Sequence, residues 1–397
     1  MYLNDTGFDS PNSNNHLVLS MLLAFLEKGH SVYYVGSHSV GVFPDIPNEL
    51  KSYQSFDFDI INKRAVERKK LIKRYLTAVK YEYCAKSKWK KKIDSVDIVI
   101  VQSHYTAFFT FKLLKKYKKK TVFNIYDIFP GATFESSGMR SKIVYKLFYK
   151  LQKYIYRNAV SIFTLTNDTK KTLLSIGVDD KKIYIVPNWF DNSKIKNTTY
   201  DSFLKDFGLS KDKKYIQYAG QIGMSYDFRF IIEVAESLKS REDIVFEFVG
   251  EGLYLKEIKK LVLERELNNI VFIPWQPLER LSEVYSSCTL QMVPLKKGII
   301  YNSYPSKILP LMGCEKTAVI SVENDSFFFD EMTNKKIAYC VPLNDVTAFK
   351  NAVVTLCDNE KMRRVFEKNA LHYVNANYTA KENTNRMLKI FEKMLEV

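Results

Sequence analysis

Four segments in the second half of the chain put small, aromatic and charged residues directly behind apolar runs of strand length. They are Tyr218-Ala219-Gly220-Gln221-Ile222-Gly223, Phe248-Val249-Gly250-Glu251-Gly252, Ile273-Pro274-Trp275-Gln276-Pro277 and Tyr304-Pro305-Ser306-Lys307. Glycine at such a place lets backbone approach a phosphate closely, with the amides of the next helix pointing at it. A simple tight turn satisfies the spacing of Gly220 and Gly223 equally well, but Gly250-Glu251-Gly252 repeats the arrangement one unit later. Trp275 behind a strand can lie against a nucleobase or fill a core. Ser306 and Lys307 open a helical pattern, where hydroxyl, free amides and ammonium would all face an anion. A capping serine beside a solvated lysine is the plainer alternative. Four successive crossovers punctuated at the same end favour one shared anion site.

Such punctuation needs parallel strands to carry it. Short apolar runs alternate with helical patterns along the whole chain, which predicts an α/β fold. Strands are expected at Ser31–Val35, Val96–Val101, Thr121–Tyr126, Ser161–Thr166 and Lys182–Pro187, with an edge or first strand near Tyr2–Asn4. Helices are expected at Asn14–Lys28, Lys63–Lys91, Ala107–Tyr117, Arg140–Arg157 and Asp168–Ser175. A polar connector, Asn192–Asp212, leads to a second series. Its strands are Tyr215–Ala219, Val245–Val249, Ile270–Ile273, Leu290–Val293 and Ala318–Ser321, and Val346–Val397 reads as helix. Two doubly wound domains facing a central cleft follow from this alternation, with ligands beyond the carboxyl ends of the strands.

Composition narrows the classes. The 397 residues are 46% hydrophobic and 26% charged, an ordinary globular balance sufficient for two domains. Five cysteines form no C-x-x-C pair and the five histidines show no H-x-x-x-H spacing, so neither a disulfide scaffold nor a metal site is expected. No apolar run reaches the ~18–20 residues of a bilayer span, and the N-terminal residues lack a signal-peptide pattern. The expected location is therefore the cytoplasm.

The net charge of +16 is uneven. Residues 1–187 hold 31 Lys and Arg against 16 Asp and Glu, whereas the remainder is nearly balanced. Lys63–Lys92, Lys112–Lys120 and Arg140–Arg157 carry the excess. In the third stretch Lys142, Lys146, Lys150, Lys153 and Arg157 recur at steps of three and four, beside an apolar line of Ile143, Leu147, Leu151 and Ile155. This is an amphipathic helix with a basic face, suited either to an anionic membrane surface or to plain solvation. No nucleic-acid-binding signature accompanies the charge, so nucleic acid is not expected as a partner.

Taken in order, YAGQIG, FVGEG, IPWQP, MVPLKKG and YPSK resemble the nucleotide-sugar half of GT-B-fold glycosyltransferases of family 4, which build bacterial capsule and O-antigen polysaccharides. Upstream, Tyr126-Asp127-Ile128-Phe129-Pro130, Val186-Pro187-Asn188-Trp189-Phe190-Asp191 and Lys28-Gly29-His30-Ser31-Val32 resemble three further segments of that family. The resemblance implies a GT-B fold. It divides the chain into an acceptor-side, membrane-facing domain (1–190), a nucleotide-sugar domain (191–375) and a helix (376–397) packing back toward the first.

It further implies that Gly220, Gln221 and Gly223 line a diphosphate and that Gly250, Glu251 and Gly252 form the loop under the nucleoside. Pro274 and Trp275 would border the base, and Ser306 and Lys307 would hold the diphosphate. Asp127 would stand near the acceptor hydroxyl or the developing oxocarbenium, although a helix cap or turn residue is its plainer reading. The implied reaction is retaining transfer from a UDP-sugar to a polyprenyl-diphosphate-linked saccharide at the inner membrane face, with no metal or other cofactor. A non-catalytic partner subunit and a nucleotide-sugar epimerase are the alternatives. The family's paired glutamates are Asn302 and Pro310 here, and Glu323 or Asp325 is the nearest substitute for the missing ribose-binding carboxylate.

Overall fold

The structure, a computed structural model, describes residues 1–8, 14–39, 46–63, 71–102, 107–117, 119–131 and 141–396. These form two compact units. The first holds the described residues up to Asn188 and is rejoined by the chain from Ala380 onward; the second is Trp189–Thr379.

The first unit carries a parallel sheet of β1 (Tyr2–Leu3), β2 (Val32–Ser39), β3 (Phe56–Lys63), β4 (Ile98–Gln102), β5 (Lys120–Asn124), β6 (Ser161–Thr164) and β7 (Ile183–Ile185). Its order is β3-β2-β1-β4-β5-β6-β7. The central strands are nearly all apolar and buried because helices cover both faces. Two features differ from expectation. Tyr2–Leu3 is first in the chain but lies mid-sheet, pairing with both β2 and β4. The edges are β3 and β7, and in β3 the alternating Phe56-Asp57-Phe58-Asp59 hides the strand among polar residues. Lys88 clamps Asp59 at 3.0 Å and Lys92 pairs with Asp57, so part of the basic stretch Lys63–Lys92 neutralises this edge. The helix expected from Lys63 is described over Leu71–Trp89, and residues 64–70 lie outside the described residues.

Helix Lys142–Asn158 is capped by Ser141, which accepts from the Val144 amide at 3.4 Å. Its apolar line divides. Ile155 is buried in the core, whereas Ile143 and Leu147 are 82% and 57% exposed, among exposed Lys142, Lys146 and Lys150. The Tyr75 and Phe148 rings meet at 5.8 Å and join this helix to Leu71–Trp89, which exposes Leu76 and Tyr83 beside Lys73 and Lys80. Among the described residues, no helix is long and apolar enough to cross a membrane.

Helix Ala380–Glu396 closes the first core. Phe391 meets Phe25 at 5.5 Å and Phe163 at 5.8 Å, and the Ser161 hydroxyl donates to the Met394 sulfur at 3.3 Å.

The second unit carries β8 (Lys214–Ala219), β9 (Ile244–Val249), β10 (Ile270–Ile273), β11 (Leu290–Pro294), β12 (Ala318–Ser321) and β13 (Tyr339–Val341) in the parallel order β10-β9-β8-β11-β12-β13. Strand β13 has only three residues, too few to show a period in the sequence. One sheet face holds a fully buried polar trio. Gln217 donates through Nε2 to Glu247 at 2.5 Å and to the Val284 carbonyl at 2.9 Å, and Gln291 donates to the Gln217 side-chain oxygen at 2.9 Å.

Burial pushes the Glu247 carboxyl up from 4.5 to about 7. Between these values the folded chain holds a proton that the unfolded chain releases, so stability falls as pH rises through this window. Glu247→Gln removes the cost of ionisation. Thermal melts should show a stability advantage for the variant that is small at pH 4.5 and grows by pH 8; an advantage independent of pH would refute the assignment.

Candidate active site

The strand order of the second sheet reverses between β8 and β11, and such a switch point opens a crevice at the carboxyl ends of the strands. Three loops leave that end side by side, and their backbones extend the sheet ladder. The Gly220 amide donates to the Val249 carbonyl at 2.8 Å, Ile222 to Glu251 at 2.8 Å, and Gly250 to Ile273 at 2.9 Å.

This stacking explains two of the glycines. Gly250 has φ +140°, and a Cβ there would stand 2.1 Å from the Gly220 carbonyl oxygen; at Gly252 it would stand 2.2 Å from that of Ile222. Gly223 differs, because a Cβ there would meet only Gln221, its side chain at 3.6 Å and its carbonyl oxygen at 3.8 Å, both ordinary contacts. Gln221, Glu251, Pro274 and Trp275 are exposed along the same rim.

Lys307 reaches this rim from the segment after β11. A Cβ on Gly220 would lie 3.0 Å from the Lys307 ammonium, so the glycine makes room for the cation. The ammonium stands 3.8 Å from the centre of the Tyr218 ring and 4.4 Å from that of Tyr226. Tyr218 in turn donates its hydroxyl to the Gln221 carbonyl at 2.5 Å and fixes the first loop. Burial pushes Lys307 down to about 7. Among the described residues no carboxylate pairs with it.

Ser306 is exposed next to it. The short helix Ile308–Gly313 starts after Lys307 with no side-chain cap, so the capping role considered for Ser306 is not the one observed. Neither tyrosine is marked by its sequence context as a partner of Lys307. Tyr218 looked like one more apolar strand residue, and Tyr226 lies in the following loop.

Of the positions where glutamates were expected, Asn302 is buried with its amide on the Gly298 carbonyl at 3.0 Å, and Pro310 sits inside the short helix. Glu323, behind β12, is 8% exposed. One of its oxygens accepts the Gly298 amide, and the other is buried with no hydrogen-bond partner. Asp325 accepts the Tyr301 hydroxyl.

In the first unit Asp127 lies just behind β5. Its side chain keeps open surface, while the surrounding protein excludes enough water to push the carboxyl up to about 6. It borders a cavity of about 160 Å³ at the carboxyl ends of β1, β4 and β5. The sequence signal for this cavity is the change from apolar to polar at the strand ends, Leu3 to Asn4 and Val101 to Gln102. Residues 9–13, between β1 and the helix Asn15–Glu27, lie outside the described residues.

Known proteins carry the same layout. Residues 200–373 match the family model described as Glycosyl transferases group 1, and residues 15–194 match Glycosyltransferase Family 4. The chain is 20% identical over 346 residues to probable glycosyltransferase WbjE of Pseudomonas aeruginosa, covering 85% of each. Over 169 residues it is 25% identical to the putative colanic acid biosynthesis glycosyl transferase WcaI of Escherichia coli, covering 42% of this chain and 41% of that protein. Among solved structures, Anabaena HepE in complex with UDP aligns with a TM-score of 0.74 at 10% identity over 99% of both chains. Sucrose-phosphate synthase of Thermosynechococcus elongatus aligns with a TM-score of 0.74 at 15% identity, over 100% of this chain and 98% of its own. The chain belongs to the GT-B glycosyltransferases and is of the family 4 type.

Proposed function

We propose that the protein transfers a sugar from a UDP-sugar to a lipid-linked saccharide during bacterial surface-polysaccharide synthesis, with retention at the anomeric carbon. The observation that carries this reading is the Lys307 ammonium at the switch point, against Gly220, without a carboxylate partner among the described residues. A desolvated cation there stabilises the charge that develops on a departing diphosphate. This assigns to Lys307 the role a divalent ion would otherwise fill, so no metal or other cofactor is required.

Gly220, Gln221, Gly223 and Ser306 are the diphosphate contacts in this reading. Gly250, Glu251 and Gly252 support the nucleoside, and Pro274 and exposed Trp275 receive the base. Asp127 serves the acceptor hydroxyl or the positive charge at the reacting carbon. UDP in HepE crystals and the colanic acid assignment of WcaI support the donor and the pathway class. The cationic, apolar-tipped helices Leu71–Trp89 and Lys142–Asn158 support docking on an anionic inner-membrane surface.

The test is a panel of UDP-sugars with a short polyprenyl-diphosphate-linked acceptor in anionic vesicles, read by released UDP. Acceptor-dependent release with one donor, unaffected by EDTA and giving a product of retained configuration, is expected. Ile143→Glu with Leu147→Glu should reduce vesicle binding about tenfold without changing UDP affinity. Absence of both UDP binding and release across the panel would refute the reading.

A further inference from the structure

The loop that carries Tyr226 is fastened along both sides. Toward β11, Tyr226 and Leu295 form an antiparallel bridge. The Asp227 amide donates to the Pro294 carbonyl at 2.8 Å, and the Lys296 amide donates to the Ser225 carbonyl at 3.1 Å. Toward the second glycine loop, the Tyr254 amide donates to the Ile222 carbonyl at 3.3 Å. Asp227 then caps the helix Phe228–Ser237, its carboxylate accepting the Phe230 amide at 3.2 Å. Tyr226 therefore stands between a bridge and a helix cap, and its backbone position is set by the fold.

Its ring is held as firmly. It meets the Tyr218 ring edge-on at 5.2 Å and the Phe228 ring at 6.0 Å, and Tyr218 meets Phe228 at 4.8 Å. The Lys307 ammonium, 4.4 Å from the centre of the Tyr226 ring, rests on a surface that is in place before any ligand arrives. Tyr218 is a fully buried strand residue that serves the core. Tyr226 is half-buried at the margin of that core, outside the helices and the sheet.

An aromatic face attracts an ammonium through its quadrupole and has no such hold on a neutral amine. Burial acts the other way, favouring the neutral amine, and the lysine stem is flexible enough to swing aside. The titratable groups that face Lys307 are the phenols of Tyr218, from β8, and Tyr226, from the loop. Among the described residues no charged side chain shifts it. Ring attraction is thus the force that opposes both deprotonation and departure.

We infer that Tyr226 is a positioning residue for the transfer reaction: its ring holds the Lys307 side chain against the Gly220 loop in the ammonium form, ready for phosphate charge. The inference rests on the transferase reading and deepens it. Lys307 makes the anion contact, and Tyr226 acts only through it. What position 226 supplies is an electron-rich ring, not a hydroxyl or a volume.

The experiment compares Tyr226→Phe, Tyr226→Leu and ring-fluorinated phenylalanines placed at position 226 by nonsense suppression in the full chain. Fluorine withdraws charge from the ring face and weakens its hold on a cation while nearly preserving its shape. UDP affinity is measured by calorimetry from pH 5.5 to 8.5, and the Lys307 side chain is titrated by NMR in the unliganded protein. Tyr226→Phe should match the parent. Tyr226→Leu should bind UDP about tenfold more weakly at pH 8.5, and its Lys307 should reach half-protonation about one pH unit lower. The affinity gap should close toward pH 5.5, where Lys307 is mostly charged with or without the ring. The ionisation of UDP is common to all variants and cancels in the ratio. Successive fluorines should move both quantities in steps.

A gap of the same size at every pH would mean that Tyr226 only shapes the loop, and would overturn the inference. So would Tyr226→Phe behaving like Tyr226→Leu, or a fluorine series without a trend. The fluorinated rings keep the packing, so they decide the outcome if Tyr226→Leu fails to fold. Failure of UDP to bind the parent would count instead against the transferase reading; the Lys307 titration needs no ligand and still tests the hold of the ring.

Discussion

Replacing Lys307 with methionine is expected to cut sugar transfer by about 10²–10³-fold and to make the unliganded protein harder to melt. Both effects have one cause. The ammonium sits among the rings of Tyr218 and Tyr226, and among the described residues no anion compensates it. Burial lowers its value from 10.5 to about 7. In that interval the unfolded chain binds the proton more tightly, so the parent gains stability as pH rises from about 7 toward 10.5 and loses it as pH falls. Methionine fills similar space without a charge to desolvate.

The melting advantage of the variant should therefore be largest at or below pH 7, on the order of a few kcal/mol, and should fade toward pH 10. Residual solvent access at Lys307 and the two rings keep the effect below the full desolvation cost. UDP reverses the balance by supplying the missing anion. Calorimetry at pH 8 in buffers of different ionisation enthalpy should show proton uptake on UDP binding to the parent and none for the variant. A variant that keeps transfer, or a parent that binds UDP without taking up a proton at pH 8, would remove Lys307 from the role given to it.

Gly250→Ala should be, with Gly252→Ala, among the most damaging single methyl groups in the second unit. The added carbon would stand 2.1 Å from the Gly220 carbonyl oxygen, on a residue at φ +140°. Side chains other than glycine's seldom adopt that backbone, and rigid backbone lies on the other side of the contact. The first two loops must part, which strains the Gly220 to Val249 and Ile222 to Glu251 hydrogen bonds. A loss of about 2–4 kcal/mol is expected from strain and clash together, visible as a lower denaturant midpoint, with UDP binding lost as well.

Gly223→Ala is the informative contrast. It meets only Gln221, at ordinary contact distances of 3.6 Å and more. The variant should melt like the parent. If Gly223 lines the diphosphate, UDP affinity should still fall by about tenfold; unchanged affinity would show that this glycine serves the turn alone.

These contrasts show what the sequence made readable. The strands behind Gly220, Gly250 and Pro274 were legible because parallel strands covered on both faces are continuous apolar runs. Edge strand β3 was not, since Asp57 and Asp59 interrupt its run and the lysines that neutralise them come from the distant helix Leu71–Trp89 and the turn behind it. Lys307 was legible as a residue opening a helical segment. Its contact with Gly220, and the two tyrosine rings around it, depend on how β8 and β11 lie side by side.

The polar cavity near Asp127 escaped for the same reason. Its walls come from four separate segments, none of which is unusual alone. The stacking of Gly250 on Gly220 shows the limit of motif reading in another way, because a glycine kept for backbone packing and one kept for a ligand look alike in sequence.

The closing helix Ala380–Glu396 also bears on how the polypeptide is made. It supplies Phe391 and Met394 to a core whose other residues are translated early. A ribosome must therefore finish the entire second unit before the first can be sealed. Throughout that interval Phe25 and Phe163 lack their partner, and the nascent first unit presents a greasy seam. Chaperone protection should matter most in that window, and a premature stop codon near position 380 would spoil the opposite end of the protein from the one it removes.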